Sequence, residues 1–258
     1  MAEDPTRTLV ILKTGSTFPK LAADQGDFED WIRRGLGPVS LPVEVLDPRD
    51  RGRLPVPECL AGVVITGSHG MVTEGEPWTP AAETWLQELV EREVPVLGIC
   101  YGHQLLAQAL GGAVDYRDQG VEIGTTTVHR TEAATADRLF NRLPPAFPAQ
   151  VVHRQFVRHL PRGAVVLSRS PFEPHHAFRV GQRAWGVQFH PEFSPAVMRA
   201  YIGHLDPQLR MEGQDPEKLL HAVRGTPAAA RLLRRFGALA QRWVHNGGER
   251  PVSAAIPA

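Results

Sequence analysis

Apolar positions fall in short, nearly unbroken runs along the first hundred residues. "TLVIL" at Thr8–Leu12, "VEVLD" at 43–47, "GVVIT" at 62–66 and "VPVLGI" at 94–99 read as strands. Runs of this length with few polar interruptions suit a parallel sheet covered on both faces. Between them the spacing lengthens to that of helices. These are Phe28–Leu36, a segment at 80–91 with Trp85, Leu86, Leu89 and Val90 on one face, and 101–110, ended by Gly111-Gly112. The alternation predicts an open, doubly wound α/β sheet.

The second half changes character. "GTTTVHR", "QVVH", "AVVLSRS", "HAFRV" and "AWGVQF" are shorter strands separated by turn residues, and they read as a mixed continuation of the same sheet. Four helix starts carry a cap residue followed by proline: Thr79-Pro80, Ser194-Pro195, Asp215-Pro216 and Thr226-Pro227. The cap oxygen accepts from a free backbone N–H, and proline sits where no donor is missed. The pattern divides the chain into a domain at 1–205 and a helical extension at 206–258, with a disordered tail from 248 onward.

In the extension, Leu219, Leu220 and Val223 mark one helix. Leu232, Phe236, Leu239 and Trp243 form the stripe of another. Arg231, Arg234, Arg235 and Arg242 crowd its other side. Two readings are open. Either the stripe packs on the chain's own sheet and the arginines are solvated, or the helices dock a partner subunit or a second copy of the chain, the arginines suiting an acidic partner.

The length of 258 residues suits one large domain or one domain with an extension. Lys+Arg and Asp+Glu are both 28, so no basic excess points to nucleic acid. No stretch approaches the roughly 20 apolar residues of a membrane helix, and the N-terminal apolar run is too short for a signal peptide. With only two cysteines, Cys59 and Cys100, there is no disulfide framework. The expectation is a soluble protein of a reducing cytoplasm, with no nucleic-acid or membrane partner.

Cys100 stands at the one junction where its chemistry is interpretable. Strand, then Gly98-Ile99-Cys100-Tyr101-Gly102, then helix is the plan of a nucleophile elbow, with cysteine where hydrolases carry serine. A helix N-terminus favours the thiolate, which is the nucleophilic form. Cys59, at the entrance to a strand, has no such context and reads as structural. A nucleophilic thiol needs a base, and the base an orienter. "AWGVQFHPEFSP" supplies both. A strand at 184–189 delivers His190, Pro191 stops it, and Glu192 follows two residues on. In extended backbone, residues i and i+2 share a side, so Glu192 is expected to hold the imidazole of His190 with its other nitrogen left for Cys100. His175-His176 lacks a third ligand at a sensible spacing, so no metal is expected.

"GICYGHQLLAQALGG" together with "GVQFHPEFSP" resembles the class I glutamine amidotransferases, the Cys-His-Glu group, and most nearly their stand-alone, GMP-synthase-like members. The resemblance spans about residues 8–205. It implies a flavodoxin-like, mostly parallel sheet and cleavage of a γ-glutamyl amide through a thioester, with no cofactor. Carried across, Cys100 is the nucleophile, His190 the base and acid, and Glu192 the orienter. Gln104 matches a residue that holds glutamine, and the N–H of Tyr101 one oxyanion donor. The second donor comes from "GSHGMV", assigned to Ser68 with Gly67 as its neighbour, where many members carry Gly-Gly-Pro. His153 and Gln155, in "VVHRQFV", match the strand that cradles the amino-acid end of the substrate, and Gln155 stands where an aspartate is common.

The chain shows no G-x-x-x-x-G-K-S/T loop and no room for an ATP domain. The expected function is therefore cleavage of the γ-amide of glutamine or of a γ-glutamyl compound, and a glutaminase that supplies a synthetase on another chain is one form of it, which the sequence does not separate from the next. The alternatives are a self-sufficient γ-glutamyl hydrolase, and a binding or regulatory protein of the same fold, against which the intact Cys-His-Glu set counts.

Overall fold

The computed structural model describes residues 7–50, 54–118 and 120–248. The expected disordered tail lies outside them apart from Gly248. The elements of the first half are β1 (Thr8–Leu12), α1 (Pro19–Gln25), α2 (Phe28–Leu36), β2 (Val43–Leu46), β3 (Leu60–Ile65), α3 (Thr79–Glu91), β4 (Val96–Ile99) and α4 (Tyr101–Ala109). Then follow β5 (Ala113–Tyr116), β6 (Glu122–Arg130), β7 (Ala146–His153), β8 (Gln155–His159), β9 (Val165–Arg169), β10 (Ala177–Val180) and β11 (Ala184–Val187). The chain closes with α5 (Pro195–Met211), α6 (Pro216–Ala222) and α7 (Pro227–His245).

Nine strands form one sheet in the order β2-β1-β3-β4-β11-β10-β9-β6-β7. From β2 to β11 every pairing is parallel; from β11 onward every pairing is antiparallel. The expected open, flavodoxin-like, mostly parallel sheet with a mixed continuation is thus present. The apolar runs serve both faces by alternation. Leu9 and Ile11 of β1 pack with α2 and α7, whereas Val10 and Leu12 pack with α3 and α4. Neither face of β1 meets water, which is why its sequence has no polar alternation.

Several expectations are corrected. "VVHRQFV" is two strands, not one. β7 ends at His153, and β8 begins at Gln155 and leaves to pair with β5 in a separate two-stranded sheet. The carbonyl of Arg154 between them accepts from the N–H of Arg117 at 2.9 Å, outside either ladder. Thr79 is not a cap. It is already helical, and its hydroxyl accepts from the N–H of Glu76 at 3.2 Å. Thr226 precedes α7 without a side-chain cap bond. Ser194 and Asp215 do cap, accepting from Val197 and from Glu217 and Lys218.

The boundary expected at 205 falls inside α5, which runs through it unbroken. The stripe of α7 packs on the chain's own sheet. Leu232 and Phe236 are buried in the core shared with β1, β4 and β11, Leu239 packs against it, and Trp243 is buried at its edge. No helix among the described residues is long and apolar enough to cross a membrane.

Candidate active site

The elbow between β4 and α4 is built on steric necessity. A methyl group on Gly98 would overlap the carbonyl of Gly102, and one on Gly102 would lie 2.7 Å from Cβ and the carbonyl oxygen of Ile65. Both positions therefore require glycine for α4 to start this close to β3 and β4. Between them Cys100 takes φ 51° and ψ −101°, a conformation a side-chain-bearing residue adopts only when its surroundings impose it. Its N–H donates to Val187 at 2.8 Å, tying the elbow to the end of β11. The thiol is buried, with Sγ 3.6 Å from the carbonyl oxygen of Val152.

His190 follows β11. Its N–H donates to the carbonyl of Gln150 on β7 at 2.8 Å, so the backbone is anchored across the sheet. Its Nδ1 lies 2.6 Å from Oε1 of Glu192, and its ring stacks on Phe193 at 4.1 Å between centroids. The contact with Glu192 is made across a turn, not along an extended strand. The N–H of Phe193 folds back to the carbonyl of His190 at 3.4 Å. Nε2 makes no aligned hydrogen bond within the protein. Burial alone would push the imidazole down. The carboxylate of Glu192, and after it the thiol of Cys100, outweigh burial and hold the imidazole well above its ordinary value. Burial of the carboxylate strengthens this, because in a dry site the Coulomb attraction is less screened. The site therefore favours a charged imidazolium next to the sulfur.

Cys100 and His190 open onto one cavity of about 240 Å³, lined also by Ser68, Tyr101, Gln104, His153 and Gln155. Gly67 passes beside the imidazole: a methyl there would stand 3.0 Å from Cε1 of His190. The hydroxyl of Ser68 accepts from the N–H of Gly70 at 3.0 Å and so is spent inside its own loop. Tyr101 is the first residue of α4, and an N–H there has no intrahelical acceptor.

Three residues expected to touch substrate meet the cavity with their polar groups engaged. Gln104 donates through Nε2 to the carbonyl of Gln155 at 2.8 Å and to Oε1 of Gln188 at 3.0 Å. His153 has Nδ1 on the carbonyl of Gln155 and Nε2 on Glu122, each at 2.9 Å. Burial raises the carboxyl of Glu122, but the contact with His153 overrides this and lowers it. The amide of Gln155 donates to the hydroxyl of Thr73.

His69, Arg154 and Tyr201 also line the cavity. His69 bonds the hydroxyl of Tyr201 at 3.0 Å, and that hydroxyl bonds Thr17 at 2.8 Å. Burial, and then the charge of His190, hold His69 below its ordinary value. Arg154 pairs with Glu212 at 2.7 Å. His69 lies within the "GSHGMV" loop and Arg154 at the strand junction, so their neighbours point to them. Tyr201 has no local signal, because only the packing of α5 brings it here. Cys59 is exposed and does not line the cavity. Among the described residues no group of three or more His, Cys, Asp or Glu side chains is arranged to hold a metal. His175 and His176 bond separately, to the carbonyl of Val157 and to Ser170.

The family model for class I glutamine amidotransferases matches residues 21–203. One subunit of a glutamine-hydrolysing GMP synthase from Methanopyrus kandleri is 33% identical over 191 residues, 69% of this chain and 93% of that protein. A glutamine-hydrolysing GMP synthase from Aeropyrum pernix is 40% identical over 132 residues, 51% of this chain but only 24% of its own length. Among solved structures, a glutamine amidotransferase from Thermotoga maritima superposes with a TM-score of 0.65 at 25% identity, covering 95% of this chain and 99% of that one. A glutamine amidotransferase from Methylobacillus flagellatus shares the fold with a TM-score of 0.68 at 21% identity, covering 98% and 99%. With a family model matched over most of its length, a strained cysteine elbow and a histidine–glutamate pair just beyond the neighbouring strand, this chain belongs to the class I glutamine amidotransferases.

Proposed function

We propose that this chain is a glutaminase that cleaves the γ-amide of glutamine through Cys100 and passes the ammonia to a synthetase subunit in the cytoplasm. The observation that carries the reading is the 2.6 Å contact of His190 with Glu192 beside a cysteine held at φ 51° in one cavity. The imidazolium of His190 stabilises the Cys100 thiolate. The sulfur attacks the γ-carbon, a C–S bond forms, and the carbonyl electron pair moves onto oxygen. The N–H groups of Tyr101 and of Ser68, with Gly67 beside it, receive that charge, each contributing about 3–4 kcal/mol on the scale of known oxyanion donors. His190 gives its proton to the departing nitrogen, the C–N bond breaks, and ammonia leaves. Water then loses a proton to His190 and attacks the thioester, and the thiolate is released with glutamate. Glu192 keeps Nδ1 protonated throughout, so Nε2 is the nitrogen that exchanges protons.

The synthetase partner is supported by likeness to the Methanopyrus kandleri protein, which is itself one subunit of its synthase. With the stripe of α7 committed to the core, its exposed outer arginines, Arg231 and Arg234, are the surface it offers such a partner or a second copy.

A second reading has one observation in its favour. Among the described residues, no Asp or Glu lines the cavity. The α-ammonium of free glutamine then has no carboxylate to meet, and Gln155 stands in the expected place of one. A γ-glutamyl peptide or amide is the alternative substrate. The test is to incubate the purified chain with glutamine and with a γ-glutamyl panel, record ammonia and amine, and map the adduct of 6-diazo-5-oxo-norleucine. Glutamine turnover with an adduct on Cys100 supports the first reading, and turnover confined to the panel supports the second. An adduct on Cys59 alone overturns both.

A further inference from the structure

A second cavity, of about 530 Å³, opens at the opposite end of the central strands. Pro95, just before β4, and Arg183, just before β11, form its floor, while α7 forms one wall. Cys100 and His190 stand at the other ends of the same two strands. Five arginines line it: Arg138, Arg142, Arg183, Arg235 and Arg242. No Asp or Glu does, among the described residues.

The charge is poorly compensated. Arg183 pairs with Glu93 at 3.0 Å. Asp137, the nearest other carboxylate, is taken by Arg179 at 2.9 Å and by the indole N–H of Trp185. Arg138, Arg142, Arg235 and Arg242 form no ion pair among the described residues. Arg235 is nonetheless fixed in place, donating to the carbonyls of Leu139 and Arg138 at 2.7 Å and to Oδ1 of Asn141 at 2.6 Å. Burial, then Arg142 and Arg242, push its guanidinium below the ordinary value. Burial pushes Arg183 the same way, with Arg138 adding to it. Arg183 and Arg235 are thus half-buried and fixed, and the exposed Arg138, Arg142 and Arg242 stand around them, so like charges converge on one concavity.

Solvated arginines on a convex face separate freely, and a protein partner would need a flatter or larger surface. The concavity lies within the roughly 300–1,000 Å³ of small-molecule sites. Planar guanidinium groups match phosphate oxygens in pairs, and several converging on one space suit more than one phosphate. Trp243 and Leu239 supply an apolar wall beside the arginines. We infer that this cavity binds a small ligand bearing two or more phosphate groups, either inorganic pyrophosphate or a nucleoside di- or triphosphate. The inference does not depend on the reading of the Cys100 site.

The test is calorimetric titration of the full chain at low salt with pyrophosphate, ATP, GTP and inorganic phosphate, repeated with the double variant Arg142→Ala/Arg242→Ala. Neither side chain makes a hydrogen bond among the described residues, so the variant is expected to melt like the wild type. Saturable binding of pyrophosphate or a nucleotide, tighter than that of inorganic phosphate, is expected. The double variant should weaken it by at least about 10-fold, since charge-assisted contacts each count for about that much. Arg231→Ala, exposed on α7 but outside the cavity, should leave it unchanged. Pyrophosphate binding as tightly as the nucleotides would mean that phosphate alone is read. Tighter nucleotide binding would mean that the apolar wall contributes. Absence of saturation with all four ligands, equal loss in Arg231→Ala, or an affinity for oligonucleotides that outgrows the cavity with chain length would overturn the inference.

Discussion

The two ends of β4 and β11 carry opposite kinds of site. At the carboxyl ends, the cavity of about 240 Å³ has most of its polar groups paired off: Gln104, His153 and Gln155 are all bonded, and one imidazole nitrogen and the hydroxyl of Tyr101 are left over. At the amino ends, the cavity of about 530 Å³ is lined by arginines that have few partners. The first is specific because almost everything in it is already satisfied, so the unpaired Nε2 and the strained sulfur stand out. The second is defined by charge that the described chain balances only at Arg183. Open α/β sheets place their chemistry at the carboxyl ends of strands because the turns there deliver side chains above the sheet edge and helix N-termini towards it. The amino ends receive helix C-termini, whose partial negative charge suits cations.

Cys100→Ala tests that contrast most severely. It should reduce glutamine-dependent ammonia release on the order of 10⁶-fold, the scale of losing a nucleophile from a triad. An assay that finds comparable turnover would move the chemistry away from the elbow. Glu192→Gln should cost less, roughly 10⁴-fold, the scale of losing the orienting carboxylate. It also has a pH signature. The carboxylate raises the imidazole of His190 against burial, so removing it lowers that value, and the imidazolium is lost at lower pH. The imidazole of His190, followed by NMR, should then titrate at lower pH in the variant than in the wild type. An unchanged profile would mean that Glu192 does not hold the charge.

Phe236→Ala asks whether the amino-end region is part of the same folding unit. Phe236 is fully buried and meets Trp185 edge-on at 6.4 Å between centroids. Its loss should destabilise the whole chain by about 3–5 kcal/mol in urea unfolding. A separate low transition, with the elbow domain unmoved, would show that α7 is an appendage. Gln155→Asp is the mildest change. It should lower the KM for glutamine by about 10-fold, on the scale of one hydrogen bond to a charged group, with kcat nearly constant. If KM does not move, Gln155 is only a link to Thr73.

Much of the molecule is legible in short stretches. The runs at β1, β3 and β4 are unmistakable because both faces of those strands are buried, and α2 matches at both ends because Asp27 and Asp30 form a reciprocal cap at its start and Gly37 stops it. Elements with little to bury are harder to read. α1 buries only Leu21, and β5 buries none of its residues, so neither leaves a periodic trace. Among site residues, Cys100, His190 and Glu192 can be named because glycine spacing and the His-Pro-Glu order are local features. Tyr201 escapes such a reading because it reaches the cavity from a helix about a hundred residues after the elbow.

What the sequence determined by itself is whatever neighbours along the chain decide. Two glycines let a helix start against two strands, the His-Pro-Glu order put Glu192 within reach of His190, and unbroken apolar runs committed the sheet to cover on both sides. Tertiary structure decided where a polar group spends its hydrogen bonds. Thr79 turned from cap to turn partner, the segment around Arg154 split between two sheets, and the donors of Gln104 went to Gln155 and Gln188. Five arginines from three separate segments met at one end of the sheet. A donor or a charge has many acceptable partners in a chain of this length. Only the packing of the apolar core selects among them, because it fixes which distant segments arrive within bonding distance.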